Sequence, residues 1–364
     1  MSGVDVVRRL EAARQTSAPF WHVVVDDFID GDSAMACARH LAAQPWMGYR
    51  DQLCLATRSF TPEGDVAGLR DLRSAALRAS VSEFTGRHLE GLLMFPWRFQ
   101  LGHYLLPHTD RDQHAERAIA FVLHLPCPTP GPPLQGGDLL LYQRNEHGWR
   151  VGETISHQPG RLVLFEVGPE TLHRVTEITG GERWTVSGWF TSQRQPAVAT
   201  SPRPRALPRH AKSDFFSPQE RASVIDSAAD AWRRVDDLER GRRWQAPAPR
   251  DALQRLRLWL LDEGFELDQL QGRLVRYEIG DYDLHTGTAA MTGSHRRVEV
   301  VVDLGETQPT TTCLWSEGGF TLSTGPVDAG EAVAVAVDRT TCRWQPLVSQ
   351  RDQGSRTSLI AWFS

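Results

Sequence analysis

The sequence predicts a mainly β protein with flanking helices, an α+β class, arranged as two barrels in tandem. Three observations predict it. Short strand-like runs split by Gly and Pro turns fill residues 94–190 and return after about Leu270, the spacing expected of sandwiches and barrels. Helical patterns are confined to the segments ahead of each run. The second run repeats the first in the same order, as an internal duplication would.

In chain order, residues 4–16 predict a short helix, with Val4, Val7, Leu10 and Ala13 at helical spacing. PFWHVVVDDFID (19–30) predicts a strand, and Asp30 or Asp32 is placed to cap a helix over 33–44. Residues 51–62 carry no clear period. Leu69, Leu72, Ala76, Leu77 and Val81 predict one helix over 66–90, packed across the back of a sheet. Strands follow at 94–106, 117–125, 137–142, 161–167, 171–178 and 183–190, with a breaker-rich loop at 127–137 and a turn at RNEHGW. RAIAFVLHL (117–125) is apolar nearly throughout, as a strand buried on both faces is. Helices are again predicted at 217–241, after a Ser-Pro start signal, and at 250–264.

The repeat is read segment by segment. RYEIGDYDLHTG (276–287) sits beside RFQLGHYLLPHTD (98–110), with a one-residue gap before the histidine. RRVEVVVDL (296–304) sits beside RAIAFVLHL, EGGFTLST (317–324) beside QGGDLLLY (135–142), AGEAVAVAV (329–337) beside PGRLVLFEV (159–167), and SRTSLIAWFS (355–364) beside ERWTVSGWFT (182–191). Between the copies, 193–215 is Pro- and Arg-rich without periodicity and reads as a linker.

Composition narrows the function. A length of 364 residues favours two domains, and 40% hydrophobic with 23% charged residues is ordinary for a globular protein. A net charge of −5 gives no basic footprint for nucleic acid. Lys212 is the only lysine, so Schiff-base chemistry has one candidate, in the linker. The start of the chain has no apolar signal core, and no long apolar run suits a membrane span. Five scattered cysteines form no CxxC pair, which favours neither a disulfide framework nor a thiolate zinc site; a reducing cytoplasm fits.

The chemistry lies between Gly102 and Phe190. His108 and Asp110, two apart at a strand end, point the same way because strand side chains alternate. His173 on a distant strand would complete a two-histidine, one-carboxylate facial triad with open positions, the ligand set of non-haem Fe(II) oxygenases. Arg183, Thr185, Ser187 and Trp189 alternate on one face of the last strand. An arginine helped by a hydroxyl there suits the distal carboxylate of a dicarboxylate such as 2-oxoglutarate. His124, on the second buried strand, is either a further contact to that co-substrate or a satisfied core histidine. His103, His114, His147 and His157 fall in turns or at strand ends and are not expected to be ligands.

RAIAFVLHL, GGDLLLY and LVLFEVGPETLHRVTEITGGERWTVSGWF together resemble the catalytic core of Fe(II)/2-oxoglutarate-dependent oxygenases of the prolyl 4-hydroxylase superfamily. They are most similar to the two-domain prolyl hydroxylases that modify a ribosomal protein. The resemblance implies two double-stranded β-helix (jelly-roll or cupin-like) domains, catalytic over 1–192 and degenerate over 216–364. It implies Fe(II) on His108, Asp110 and His173, 2-oxoglutarate on Arg183 and its neighbours, O2 as the other co-substrate, and ascorbate as a candidate further cofactor. The substrate it implies is a prolyl residue of a protein or peptide. Where relatives place a tyrosine on the second buried strand, this chain has His124.

The second copy fails at its metal positions. His285 falls beside His108, but Gly287 stands where the Asp should be, and no histidine follows His295. Arg343 lies near the place of the distal ligand, while Arg356, Ser358 and Trp362 survive. It reads as a non-catalytic partner domain. The competing functions are hydroxylation of a free or carrier-bound amino acid or small natural product, and a non-catalytic binding or sensor protein; the intact triad argues against the latter.

Overall fold

The computed structural model describes residues 8–51, 53–59, 64–110, 116–193, 205–206, 209–267, 270–286, 297–305, 311–317, 320–337, 342–349 and 355–363. Two compact units divide the chain, Met1–Ala199 and Thr200–Ser364.

In the first unit, β1 (Arg14–Thr16) and β2 (His22–Val25) precede helix α1 (Gly31–Ala42). A hairpin of β3 (Trp46–Arg50) and β4 (Cys54–Ser59) leads to helices α2 (Leu69–Arg73) and α3 (Ala75–Thr85). Then come β5 (Gly91–Phe99), β6 (Tyr104–His108), β7 (Arg117–Leu125), β8 (Gln135–Gly136), β9 (Leu139–Asn145) and β10 (Gly148–Ile155). The unit closes with β11 (Leu162–Glu166), β12 (His173–Val175), β13 (Ile178–Gly180) and β14 (Arg183–Thr191). Twelve of these strands make one curled antiparallel sheet, with path β1-β2-β11-β7-β14-β5-β4-β6-β12-β9-β10 and β3 beside β4.

That sheet has two differently packed faces. Ile119, Phe121, Leu123 and Leu125 of β7 turn outward with Leu162 and Leu164, against Ala34, Cys37 and Leu41 of α1, Leu69 and Leu72 of α2, and Leu77 and Val81 of α3. Each such side chain taken wholly out of water contributes about 1.5–3 kcal/mol. Ala120 and Val122, the alternate residues of β7, turn inward with Val163, Phe165, Leu139, Leu141 and Val175. The near-continuous apolar run thus reflects burial on both faces. Asp30 caps α1 by accepting from the Ser33 backbone N–H, as its position suggested.

Several expectations are corrected. Of the helix expected over 4–16, residues 4–7 lie outside the described residues, 8–11 are helical, and Arg14–Thr16 pairs with β2 instead. The segment 51–62, which shows no period, contains β4, whose burial alternates only in part. The single helix expected over 66–90 is two, because Ser74 adopts ψ 138° and its side chain caps α3 by accepting from the Leu77 N–H. Strand β10 at the end of the RNEHGW turn is an addition to the expected strands; all but its last residue are exposed or half-buried, and it carries little hydrophobic signal.

The second unit contributes β15 (Arg205–Ala206), β16 (His210–Lys212), helix α4 (Pro218–Asp226), a 3-10 turn at Ala229–Ala231, β17 (Arg233–Asp237), β18 (Gly241–Pro247) and helix α5 (Arg250–Asp262). It continues with β19 (Leu270–Tyr277), β20 (Tyr282–Thr286), β21 (Arg297–Asp303), β22 (Thr311–Glu317), β23 (Phe320–Val327), β24 (Ala332–Val337), β25 (Cys342–Gln345) and β26 (Arg356–Phe363). The presumed linker therefore includes two short strands, and the helix expected over 217–241 ends at Asp226. Ser217 and Glu220 close a capping box at its start, but no residue of α4 is buried.

Its sheet runs β15-β23-β22-β25-β20-β18-β19-β26-β21-β24-β16, with β17 beside β18. Read in reverse, its path from β16 to β23 follows the first unit's path from β2 to β10, ten strands in the same order, with β1 and β15 outside the match. The correspondence also corrects the repeat in two places. β9 answers to β22 and β10 to β23, so EGGFTLST matches the outer strand rather than QGGDLLLY. His108 lies opposite His173, while Thr286 lies opposite Arg343. Thr286, not His285, therefore holds the place of His108, and Arg343 holds that of His173. Gly287 is outside the described residues.

Candidate active site

Three strand ends bring the expected ligands together. His108 ends β6, Asp110 follows it, and His173 opens β12 as the ladder partner of His108. The two rings lie 4.2 Å apart between centroids. His108 Nε2 is 3.5 Å from Asp110 Oδ1, and His173 Nε2 is 3.7 Å from Asp110 Oδ2. The candidate ligand atoms all lie within 4.8 Å of one another. Asp110 and His173 are buried, and the His108 side chain is 12% exposed.

The backbone sets the tautomers. His108 Nδ1 lies 2.8 Å from the Leu106 carbonyl, and His173 Nδ1 3.0 Å from the Thr171 carbonyl. A carbonyl only accepts, so each Nδ1 carries the hydrogen and each Nε2 lone pair faces Asp110. That is the arrangement in which imidazoles bind metals, with the second nitrogen anchored. Burial, then the neighbouring His108, brings His173 down to about 4. Burial opposes charge on His108 too, but Asp110 beside it outweighs that and raises its pKa. Burial alone would raise Asp110; the two histidines hold it well below the usual carboxylate range. An ionised carboxylate between neutral imidazole lone pairs is a donor set that fits a divalent cation.

The triad opens into a cavity of about 520 Å³, whose wall continues to Arg183, Thr185 and Ser187. Arg183 is 2% exposed, and its Nε and one Nη have no hydrogen-bond acceptor; the Thr185 hydroxyl has none either. Burial brings Arg183 down to about 10 against the opposing pull of Asp138. Gly137 makes room for its stem: a Cβ there would stand 3.0 Å from Arg183 Cδ. Buried, unanswered donors are costly, and a carboxylate between Arg183 and Thr185 would answer them. These residues fit the anionic end of a dicarboxylate.

His124 is placed differently. It faces Thr185 across the β7–β14 ladder but does not line the cavity. Its Nδ1 accepts from the Gln158 N–H, so Nε2 bears the hydrogen, and that atom is buried without an acceptor. His157 stacks on it at 4.8 Å, the planes 12° apart.

The cavity wall also includes residues that no motif announced. Tyr49 and Trp97 meet edge to face at 5.2 Å, with the Arg58 guanidinium 4.5 Å above the Tyr49 ring. Arg117 stacks 3.6 Å over Trp189 and reaches within 3.9 Å of Asp110. Asp51, Leu53 and Cys54 also line this wall, and none of the breaker-rich loop over 127–137 does.

Residues 94–191 match the family model of the 2OG-Fe(II) oxygenase superfamily. The first unit thus carries a 2OG-Fe(II) oxygenase domain, of a superfamily that works with Fe(II), 2-oxoglutarate and O2. Among curated proteins the chain is similar to the mouse prolyl 3-hydroxylase OGFOD1, at 30% identity over 208 residues, 54% of this chain. The match spans 37% of that relative's length. Among solved structures it is similar to a Pseudomonas putida prolyl-4-hydroxylase (23% identity, 52% of this chain and 99% of that one, TM-score 0.41). It is also similar to a Trichoplax adhaerens prolyl hydroxylase (14% identity, 52% and 89%, TM-score 0.36). No helix among the described residues is long and apolar enough to cross a membrane, and Cys37, Cys54 and Cys127 are free thiols.

Proposed function

We propose that this protein is an Fe(II)- and 2-oxoglutarate-dependent dioxygenase that hydroxylates a prolyl residue of a protein or peptide. The observation that carries the reading is a single cavity lined both by the His108–Asp110–His173 triad and by Arg183 and Thr185 with their unanswered polar atoms. The similarity to prolyl hydroxylases supports the choice of substrate.

Each side chain has a role in this reading. His108, Asp110 and His173 hold Fe(II), and the Leu106 and Thr171 carbonyls keep both imidazoles turned to it. Arg183 and Thr185 hold the distal carboxylate of 2-oxoglutarate, with Ser187 beside them on the same strand face. When bound, Fe(II) couples the oxidative decarboxylation of 2-oxoglutarate by O2 to hydroxylation of an unactivated C–H bond. The aromatic wall of Tyr49, Phe95, Trp97 and Trp189 excludes water and offers flat faces to a pyrrolidine ring. His124, as an Nε2–H donor, contributes to the co-substrate end by fixing the surroundings of Arg183.

The division of labour belongs to the same proposal. Residues 1–192 form the catalytic domain and 216–364 a non-catalytic one. The test is succinate formation from 2-oxoglutarate with Fe(II) under air, together with a gain of one oxygen on proline in peptide pools by mass spectrometry. Turnover unaffected by Asp110→Ala would sink the iron assignment. Oxygen gained on free amino acids but on no peptide would overturn the substrate.

A further inference from the structure

A second cleft, of about 870 Å³, lies beside the catalytic cavity, and Arg117 lines both. Two residues of its wall reach the triad. Arg117 approaches Asp110, and the Thr171 carbonyl accepts from His173 Nδ1. The cleft therefore adjoins the site, its wall sharing Arg117 with the cavity and approaching two of the three ligands. We propose that it binds the stretch of substrate polypeptide flanking the target residue, so that the substrate is an extended chain and not a molecule held wholly within the catalytic cavity. The proposal rests on the prolyl-peptide reading above and adds a site to it.

The chemistry of the wall favours main chain over a charged ligand. Arg87 and Glu166 pair at 3.5 Å, and Glu166 also accepts from the Trp21 N–H. Arg117 is offset by Asp110, and the wall also carries Arg144 and Glu170, one charge of each sign. The charges nearly cancel, while donors and acceptors remain on both sides. A polypeptide carries one N–H and one C=O per residue and needs both kinds of partner. For a lone ion, Arg87, Glu166 and Arg117 are already paired.

Two probes test this: an N-acetylated Ser-Pro-Ser amide, and a twelve-residue peptide with that tripeptide at its centre and Ser, Asn and Gln on both sides. Binding of dye-labelled peptides to the full chain is read by fluorescence anisotropy, and proline oxidation is read separately with Fe(II) and 2-oxoglutarate. The long peptide should bind at least ~10-fold more tightly. Ser17→Trp, which places an indole in the cleft from an exposed position outside the catalytic machinery, should bring it within ~3-fold of the tripeptide. It should leave the thermal shift by 2-oxoglutarate unchanged. Equal binding of the two probes, no binding of either, or a length advantage that Ser17→Trp leaves intact overturns the cleft assignment. Length-dependent binding without oxidation of any proline keeps the cleft and overturns the prolyl reading.

Discussion

His108 and His173 are direct partners across the β6–β12 ladder, with their Nε2 atoms turned to Asp110 from either side. The ladder fixes the spacing of the two backbones, and the Leu106 and Thr171 carbonyls hold the rings turned to Asp110. Loss of any one ligand should therefore remove the metal while the sheet survives. His173→Ala and Asp110→Ala are expected to lower Fe(II)-dependent succinate formation by more than ~100-fold, since even loss of an outer partner of a ligand costs ~10–100-fold. Anaerobic Fe(II) titration should show the loss of binding, with circular dichroism unchanged.

Arg183 makes a prediction with two signs. Its guanidinium is buried with Nε and one Nη unanswered, so without co-substrate it destabilises the domain. Arg183→Met should raise the melting temperature of the free protein, yet abolish the further rise that 2-oxoglutarate gives the native chain by binding the folded state. The apparent KM for 2-oxoglutarate should rise by ~30-fold or more, the scale of truncating one partner of a buried charge pair. Arg183→Lys should fall between, since an ammonium cannot reproduce the fork. A variant that loses stability and keeps its response to 2-oxoglutarate would argue for a structural arginine.

The sequence shows the triad because each ligand sits at a strand end with distinctive chemistry: His-x-Asp after a strand, and a lone His before the last hairpin. It shows β7 and β14 because burial on both faces leaves long apolar runs. It hides β4, whose hairpin with β3 is partly exposed and so lacks a clean period, and with it Tyr49 and Arg58 of the cavity wall. Arg117 is equally hidden. At the head of an apolar strand it reads as an ordinary solvated terminus, and only the fold turns it onto Trp189 and Asp110. His157 looks like a turn residue, and its partner His124 lies on another strand. The one-residue gap placed before His285 shows a further limit. Letters alone cannot tell which of two adjacent residues takes the ladder position of His108, whereas the pairing of Thr286 with Arg343 does.

The stacked pair of His124 and His157 makes stability depend on pH. Burial, and then the Arg183 charge, lowers both: His124 well below its usual value and His157 from 6.5 to about 4. The folded state thus resists protons that the unfolded chain accepts. Stability should fall as pH drops from about 6.5 towards 4 and stop falling on account of His157 below its folded value. The slope is at most about 1.4 kcal/mol per pH unit for each ring, and smaller for the partly exposed His157. Urea midpoints at pH 7 and pH 5 measure it, and His157→Asn should flatten the difference.

Gly188 sits mid-strand in β14 between Met94 of β5 and Phe121 of β7. A Cβ there would stand 1.9 Å from the Leu93 carbonyl oxygen, so β5 and β14 must separate to admit it. Gly188→Ala is expected to cost roughly 1–3 kcal/mol or more, as other forced insertions into packed structure do. Because Gly188 also lines the catalytic cavity, 2-oxoglutarate binding should weaken in parallel. A melting temperature unchanged by the substitution would show that the strands give way easily.

The second unit supplies the last prediction. Its sheet follows the same path as the first, and its ladder puts Thr286 against Arg343 where the first has His108 against His173. Other positions inside the curl have also changed character. The pairings put Asp283 where Leu105 stands and Tyr277 where Phe99 stands, and Tyr277 donates its hydroxyl hydrogen to the Asp283 carboxylate. Arg243 lies 3.4 Å from the same carboxylate. Arginine takes the ladder place of His173 at Arg343, and Arg243 pairs with the Asp283 carboxylate; positive charge disfavours a cation. The full chain should therefore bind one equivalent of Fe(II), and Asp110→Ala should bind none. Restoring histidine at both places, Thr286→His with Arg343→His, should not raise the stoichiometry, because the carboxylate ligand is not supplied and Asp283 is already committed to Tyr277 and Arg243. Two equivalents in the native chain, measured by anaerobic titration, would overturn the view that only the first unit holds metal.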